Sequence, residues 1–304
     1  MPFQEALGVT AQIISGNEVA KSIRAELKEE VSKMKAGGVT PGLVVIIVGE
    51  DPASQVYVRK KGEACQELGL HSETIRLPAD TKESELLSLI DKYNADKAFD
   101  GILVQLPLPK HISEEKVLVR IDPGKDVDGF HPTNVGKMVV GAESYLPCTP
   151  AGIQELLVRS GNDPKGKHVV VLGRSNIVGK PITNILLQKA PGADATVTIC
   201  HSRTQDLPRF SRQADILIAA MGVPNFVKGD MVKDGVVVID VGVNRINDPT
   251  AKNGTRLVGD VDFESVKEKA KAITPVPGGV GPMTITMLMK NTVKAAKIHH
   301  GWKG

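Results

Sequence analysis

The chain has 304 residues, which predicts about two domains of roughly 150 residues, each large enough to bury a hydrophobic core. A formal net charge of +3 and only 3% aromatic residues give no sign of a nucleic-acid footprint, and no apolar run approaches the roughly 18 residues that span a bilayer. We therefore expect a protein that binds neither nucleic acid nor membrane. Three widely separated cysteines without CxxC spacing indicate reduced thiols and no metal site, so we also expect a cytoplasmic location.

The first predicted elements are a helix and a buried strand. Apolar residues recur at helical spacing from Val19 to Met34, Asn17 is a suitable N-cap, and Gly37 follows the last turn. The apolar run at 43–49 has the length and branching of a strand that is buried on both faces.

The next segment places an aromatic ring and an amine on one helical face. Tyr57 and Lys61 are four residues apart in a helix that we expect to end near Gly69. The helix should begin beside the carboxyl end of the preceding strand, where open α/β sheets bind ligands. The alternative for so short a pattern is a solvated basic face formed by Arg59, Lys60 and Lys61.

Two further strands, with a helix between them, extend the pattern. Residues 72–77 and 101–106 predict strands and residues 83–93 a helix, an alternation that indicates βαβ units on a parallel sheet. Gln105 interrupts the second of these strands with a buried amide, which needs hydrogen-bond partners. It either caps neighbouring backbone or faces a site at the carboxyl end of the strand.

A loop at 125–130 carries two carboxylates one residue apart. Asp126 and Asp128 form a DxDG pattern that, taken alone, is typical of a turn or a weak calcium loop. The further oxygen ligands of an EF-hand are missing from the sequence, so we expect no metal at this loop.

A second domain is predicted to begin after Thr149. Pro150 opens a helix there, and a strand at 168–173 then leads into a glycine-rich turn before another helix. Such a turn typically binds dinucleotide phosphate at the helix N-terminus. Its candidate cofactor residues are Gly173, Arg174, Ser175 and Gly179. Because Ser175 stands where GxGxxG has its second glycine, the motif alone leaves a cofactor site open.

The end of the next strand bears on the choice of cofactor. Residues 195–200 predict a strand, which is followed by His201, Ser202 and Arg203 rather than by the acidic residue that binds the ribose 2′-hydroxyl of NAD. Together with Arg174, these side chains suit a 2′-phosphate, so the sequence favours NADP.

Two more strands complete half of a Rossmann set. They are predicted at 216–222 and 236–242 and end in Gly222 and Gly242, glycines that would let a ligand approach closely.

The last distinctive segment is a loop at 274–284 that is rich in proline and glycine. It suits the clamping of a flat ligand through Pro277, Gly278 and Gly279, or alternatively forms a rigid interdomain turn. An apolar helix follows it, after which we expect His299–His300 to fray.

With these segments assembled, the chain resembles the bifunctional methylenetetrahydrofolate dehydrogenase/methenyltetrahydrofolate cyclohydrolase family over nearly its whole length. The motifs that carry the resemblance are YVRKK at 57–61, VQLPLP at 104–109, KDVDGF at 125–130, GRSNIVGKP at 173–181, DVGVN at 240–244, GDVDF at 259–263 and PVPGGVGPMT at 275–284. Each motif is weak alone, and their joint occurrence in this order is specific.

The resemblance implies two α/β domains about a cleft. It implies a folate-binding domain of residues 1–149 and 283–304, and a Rossmann-like NADP-binding domain of residues 150–282 with a mostly parallel sheet. It also implies a homodimer that oxidises 5,10-methylenetetrahydrofolate with NADP and hydrolyses the methenyl product to 10-formyltetrahydrofolate, in one-carbon metabolism. The alternatives are a dehydrogenase without cyclohydrolase activity and a non-catalytic dinucleotide-binding protein, and the intact folate motifs disfavour both.

The resemblance further assigns roles to individual residues. It implies that Lys61 is the catalytic lysine and that Tyr57 stacks against the folate. It implies that Gln105 holds the lysine and that Asp128 binds the pterin. The residues that it places at the cofactor phosphates are Arg174, Ser175 and Ser202. Because a free ammonium is protonated at working pH, we hypothesise that burial lowers the pKa of Lys61 and lets it shuttle the proton during hydration.

Overall fold

The computed structural model describes residues 11–251 and 254–303, and the contacts within the chain divide it into two units. The first, here called the six-strand unit, comprises residues 11–19 and Thr149–Met283. The second, the three-strand unit, comprises Ala20–Cys148 and residues 284–303.

Strands and helices alternate along most of the described chain. The strands are β1 (Gln12–Ile13), β2 (Gly42–Val48), β3 (His71–Leu77), β4 (Gly101–Val104), β5 (His168–Leu172), β6 (Thr196–Cys200), β7 (Ile216–Ala219), β8 (Val237–Asp240), β9 (Asn244–Asn247), β10 (Thr255–Val258) and β11 (Ala272–Ile273). The helices are α1 (Gly16–Ala36), α2 (Pro52–Leu68), α3 (Glu83–Ala95), α4 (Glu114–Arg120), α5 (Pro132–Val139), α6 (Cys148–Arg159), α7 (Gly179–Leu186), α8 (Leu207–Ser211), α9 (Phe263–Lys267) and α10 (Val280–His300). Parallel strands need such crossover helices, so this order is that of βαβ units.

The three-strand unit is built on a parallel sheet with β2 between β3 and β4. All seven residues of β2 are buried, as expected for a strand that is covered on both faces. Ile46 on β2, Ile102 on β4 and Ile90 on α3 belong to one hydrophobic cluster, which fixes the helix against the sheet.

Helix α2 has sequence signals at both ends. The Asp51 side chain accepts a hydrogen bond from the Ser54 backbone N–H at 2.8 Å, and Pro52 occupies the first turn. Gly69 ends the helix with a left-handed φ of 74°. Since β2 ends at Val48, α2 begins close to the carboxyl end of the central strand, as predicted.

The six-strand unit contains a parallel sheet in the order β1–β11–β8–β7–β5–β6. After β5, the chain adds β6 on one side and then β7 on the other, so the direction of winding reverses at β5. Ligands of doubly wound sheets bind at the carboxyl ends of the strands beside such a reversal. A separate antiparallel hairpin is formed by β9 and β10. The predicted α/β class with a Rossmann-like, mostly parallel sheet is confirmed.

The N-terminal domain assignment needs a correction. We expected residues 1–149 to belong to the folate-binding domain, but β1 pairs in parallel with β11, and the Ile14 N–H donates to the Ile273 carbonyl at 2.9 Å. Residues 11–19 therefore belong to the six-strand unit, while residues 1–10 lie outside the described residues. A two-residue strand is too short to leave a periodic signal in the sequence.

The start of α1 and the end of α10 differ from the sequence-based expectation. The Ser15 hydroxyl, rather than Asn17, accepts from a backbone N–H of the first turn of α1, that of Glu18, at 3.3 Å. The expected fraying at the C-terminus is wrong, because α10 extends to His300 and both terminal histidines reach Asp100. The Nδ1 atom of His299 lies 3.1 Å, and the Nε2 atom of His300 3.3 Å, from Oδ1 of this buried carboxyl group.

Candidate active site and cofactor site

Lys61 lies on the buried face of α2. Its side chain is only 7% exposed, and its Nζ donates a hydrogen bond to Oε1 of Gln105 at 2.9 Å. Tyr57, one turn earlier on the same helix, is half-buried. The exposed members of the YVRKK motif are Arg59 and Lys60, so the solvated basic face proposed as an alternative is formed without Lys61.

Gln105 performs both of the roles that its position in the sequence left open. It follows β4, and its backbone N–H donates to the Ile46 carbonyl of β2 at 2.8 Å. Its Nε2 donates to the Leu106 carbonyl at 2.7 Å, which directs Oε1 towards Lys61. The amide therefore caps neighbouring backbone through its nitrogen and orients the lysine through its oxygen.

The two carboxylates of the KDVDGF loop have different environments. Asp126 is 2% exposed and accepts hydrogen bonds from the backbone N–H groups of Phe130 (3.2 Å) and His131 (2.8 Å) and from Nδ2 of Asn134 (2.9 Å). Asp128 interacts electrostatically with Lys61 and Cys148. Asp126 thus shapes the loop, and Asp128 is the carboxylate that faces the lysine.

The surroundings of Lys61 favour the neutral form of its amine more than water does around an exposed lysine. Burial lowers the pKa of Lys61, and the negative charge of Asp128 opposes that shift. Burial likewise raises the pKa of Asp128, and the positive charge of Lys61 opposes it. Lys61 therefore loses its proton more readily than a free lysine, so it is able to exchange a proton with water or substrate.

Cys148 is a member of this cluster that the sequence did not indicate. It is 1% exposed, and its Sγ lies 3.5 Å from the Val127 carbonyl oxygen. Burial raises the pKa of the thiol well above its ordinary value, so it stays protonated. The Asp128 carboxylate accepts a hydrogen bond from it. The sequence showed only a lone cysteine at a domain boundary, and no spacing pattern linked it to Lys61.

The predicted cofactor turn is closely packed. Gly173 has a left-handed φ of 118°, and a Cβ there would lie 2.0 Å from the Ala220 carbonyl oxygen. A Cβ on Gly179 would lie 2.1 Å from the Gly173 carbonyl oxygen. Both positions require glycine, as in a dinucleotide-binding turn. The Ser175 hydroxyl accepts from the N–H groups of Val178 (3.1 Å) and Gly179 (3.3 Å), so the side chain at the position of the second glycine is turned towards the start of α7.

The polar groups after β5 and β6 are suited to NADP. The two strands are paired neighbours, and the Gly173 N–H donates to the Cys200 carbonyl at 2.9 Å, so Arg174 and Ser202 follow adjacent strand ends. Arg174, Ser202 and Arg203 are exposed, and His201 is half-buried with its Nδ1 accepting from the Arg203 N–H at 3.1 Å. Two guanidinium groups and a hydroxyl form a donor set that matches a 2′-phosphate.

Gly222 and Gly242 both donate backbone hydrogen bonds to buried carboxylates, which the sequence did not reveal. The Gly222 N–H donates to Oδ2 of Asp260 at 2.9 Å, and the Gly242 N–H donates to Oδ1 of Asp240 at 2.9 Å. A Cβ on Gly242 would lie 2.3 Å from Oδ1 of Asp260. Buried carboxylates account for these bonds and for this close approach, and the ligand contact of the two glycines stays a prediction.

Pro277, Gly278 and Gly279 belong to the six-strand unit, whereas Lys61 belongs to the three-strand unit. Gly278 has a φ of 100°, and its carbonyl accepts from the Gly16 N–H at 2.8 Å. A Cβ on Gly279 would lie 2.5 Å from the Pro275 carbonyl oxygen. The loop is therefore anchored to the start of α1 by its glycines, and its predicted contact with folate stays a prediction.

The described residues contain neither a cluster of metal-ligating side chains nor a membrane-spanning helix. No group of three or more His, Cys, Asp or Glu side chains is arranged to hold a metal ion within residues 11–251 and 254–303. In the same part of the chain, no helix combines the length and the apolar composition needed to cross a membrane.

Comparison with known proteins yields two family-model matches along the chain. Residues 14–128 match the tetrahydrofolate dehydrogenase/cyclohydrolase catalytic domain. Residues 147–300 match the NAD(P)-binding domain of the same family.

Individual relatives agree with the family models. The bifunctional protein FolD of Syntrophobacter fumaroxidans is 61% identical over 293 residues, which cover 96% of this chain and 99% of the relative. The bifunctional FolD structure from Campylobacter jejuni has a TM-score of 0.89 and 48% identity, covering 95% of this chain and 99% of that one. The Trypanosoma brucei dehydrogenase-cyclohydrolase, solved with NADP and an inhibitor, has a TM-score of 0.90 and 41% identity and covers 100% of both chains. The family predicted from the sequence motifs is confirmed, and the chain belongs to the tetrahydrofolate dehydrogenase/cyclohydrolase family.

Proposed function

We propose that this protein oxidises 5,10-methylenetetrahydrofolate to the 5,10-methenyl compound with NADP and hydrolyses that product to 10-formyltetrahydrofolate. Family membership supports both reactions, since its curated relatives are bifunctional. The observation that carries the proposal is the buried Lys61, which donates to Gln105 and interacts with the charge of Asp128.

The cofactor site supplies binding and orientation for the first reaction. When bound, NADP accepts the hydride, and the protein's contribution is to hold reactants in line. Arg174, Ser175 and Ser202 hold the phosphates, and the close packing at Gly173 and Gly179 fixes the turn that carries Arg174 and Ser175.

The Lys61 cluster performs the second reaction. Asp128 accepts hydrogen bonds from the paired N–H donors at the edge of the pterin, and the Tyr57 ring stacks against it. Lys61, held by Oε1 of Gln105, takes a proton from the water that attacks the methenyl carbon and returns it to the folate nitrogen whose bond to that carbon breaks. The second proton of the water is released to solvent as the formyl carbonyl forms. Burial lowers the pKa of Lys61, and this shift favours the exchange because it makes the amine easier to deprotonate.

The test combines a wild-type assay with a lysine variant. In one cuvette with NADP and methylenetetrahydrofolate, the wild-type protein should accumulate NADPH while the methenyl compound appears only in part. A dehydrogenase alone would accumulate the methenyl compound in full, and a non-catalytic protein would produce no NADPH.

Lys61→Met should lower cyclohydrolase turnover by about 10²–10⁴-fold, the usual contribution of a positioned proton-transfer group. Lys60→Met is the matched control, because Lys60 is the exposed neighbour on the same helix and should retain wild-type turnover. A folded Lys61→Met variant with normal hydration kinetics would refute the assignment.

Two further properties belong to the same proposal. A homodimer is supported by exposed apolar side chains in and next to the β9–β10 hairpin, with Val243 52% and Leu257 37% exposed. A monomeric mass in light scattering at micromolar concentration would contradict it.

A cytoplasmic location is supported by Cys65, Cys148 and Cys200, which are all free and buried.

A further inference from the structure

Two buried aspartates belong to motifs that the proposed mechanism does not use. Asp240, in DVGVN, is 4% exposed and Asp260, in GDVDF, is 0% exposed. A buried carboxylate requires several hydrogen bonds, so the groups that donate to these two define what they do.

Asp260 connects the loop after β7 to the start of β9. Its Oδ2 accepts from the backbone N–H groups of Met221 (2.6 Å) and Gly222 (2.9 Å), and its Oδ1 accepts from Nδ2 of Asn244 at 2.8 Å. The carboxylate therefore fixes a backbone segment that leaves the carboxyl edge of the parallel sheet.

Asp240 holds Asp260 in place. Its Oδ1 accepts from the N–H groups of Gly242 and Asp260, both at 2.9 Å, and its Oδ2 accepts from the Val261 N–H at 3.0 Å. Its own N–H donates to Oγ1 of Thr274 at 2.8 Å. The two aspartates form one network at the end of β8.

Two glycines make room for this network. A Cβ on Gly242 would lie 2.3 Å from Oδ1 of Asp260, and one on Gly259 would lie 1.7 Å from Oδ2 of Asp240. Both contacts are too short for any side chain. The glycines of the two motifs thus accommodate the carboxylates.

We propose that Asp260 is a positioning residue for NADP binding, because it sets the backbone at Met221–Gly222 on the cofactor edge of the sheet. The inference rests on the proposed function, since it takes the carboxyl edge of the six-strand sheet as the cofactor site. Asp260 acts through this backbone, because both of its oxygens are occupied by protein donors.

Asp260→Asn tests the inference with little change in size. If the new amide oxygen accepts from Met221 and Gly222, that acceptor has lost its charge, and its nitrogen faces Nδ2 of Asn244, so that the Asn244 amide has to turn over to relieve two opposed donors. We expect the dissociation constant for NADP, measured by calorimetry on the complete protein, to rise roughly tenfold or more. Cyclohydrolase activity assayed from the methenyl compound without NADP should stay within about twofold of wild type, because none of the hydrogen-bond partners of Asp260 belongs to the Lys61 cluster.

A swapped pair provides the rescue. In the double variant Asp260→Asn with Asn244→Asp, the amide at 260 donates to a carboxylate at 244, so NADP affinity should return to within about threefold of wild type. Asp262→Asn is the matched control, since Asp262 belongs to the same motif but caps α9 and pairs with Lys228 at 3.0 Å. It should bind NADP as the wild type does.

The outcomes separate the inference from the proposed function. If wild-type protein binds no NADP, the proposed function and the inference both fail. If the wild type binds NADP and Asp260→Asn binds it equally well, the inference alone is overturned. Should Asp260→Asn fail to fold, the swapped pair decides: restored affinity supports the inference, and a folded swap with weak NADP binding overturns it.

Discussion

Replacing the amide of Gln105 by a carboxylate tests whether the lowered pKa of Lys61 is needed for cyclohydrolase turnover. Lys61 Nζ donates to Gln105 Oε1 over 2.9 Å, and burial lowers the pKa of the lysine. Gln105→Glu keeps the size of the side chain and adds a negative charge at hydrogen-bond distance. An opposite charge this close raises the pKa of an amine by about 1–3 units.

The expected effect on turnover follows from the fraction of neutral amine. Below the pKa, that fraction falls about tenfold for each unit by which the pKa rises. Cyclohydrolase turnover of Gln105→Glu should therefore fall by about 10- to 1000-fold at a fixed pH on the acid side of the profile, and it should recover as the pH is raised.

The assay follows hydrolysis of the methenyl compound over a series of pH values, after subtraction of the uncatalysed rate. Gln105→Met is the control, because it removes the acceptor without adding charge and should lower the rate without moving the profile to higher pH. A Gln105→Glu profile whose midpoint equals that of the wild type would refute the role of Lys61 as the titrating group.

Two other substitutions address substrate and cofactor. Asp128→Ala removes a charged acceptor worth about 1.5–3 kcal/mol, so the KM for the folate should rise roughly ten- to a hundredfold, and an unchanged KM would contradict the pterin contact. Ser202→Asp places a carboxylate after β6, where it repels a 2′-phosphate and accepts a hydrogen bond from a ribose hydroxyl. The ratio of kcat/KM for NADP to kcat/KM for NAD should therefore fall roughly tenfold or more. An unchanged ratio would show that Ser202 does not contact the 2′-phosphate.

The sequence predicted the parts of the site that depend on local regularity. The Tyr57–Lys61 spacing follows from the helical period, and the placement of α2 follows from the apolar run that forms β2. The need of Gln105 for partners follows from its position in an apolar strand. Each of these inferences uses residues that are close in the chain.

The remaining parts of the site depend on contacts between distant segments. The sequence could not show which carboxylate of Asp126 and Asp128 would face Lys61, because the choice is made by donors at 130, 131 and 134. Cys148 joins the cluster from a segment that is remote in sequence from Lys61. The strand β1 is likewise defined only by its partner β11, which lies more than 250 residues later.

The same structural device supports both proposed sites. In the three-strand unit, Asp126 accepts backbone N–H groups and leaves Asp128 facing Lys61; in the six-strand unit, Asp240 accepts backbone N–H groups and holds Asp260. Burial raises the pKa of Asp126 and of Asp240 to about 6, while their hydrogen bonds act in the opposite direction.

This electrostatic arrangement has a cost in stability at neutral pH. A carboxyl group whose pKa is raised by folding contributes stability below its ordinary pKa, and that contribution is lost as the pH rises through about 6. At neutral pH the ionised forms of Asp126 and Asp240 are therefore less favourable in the folded chain than in water. Buried charges of this kind are not explained by stability alone. What they supply is a fixed direction for neighbouring groups: Asp128 towards the lysine, and Asp260 towards the backbone at Met221–Gly222.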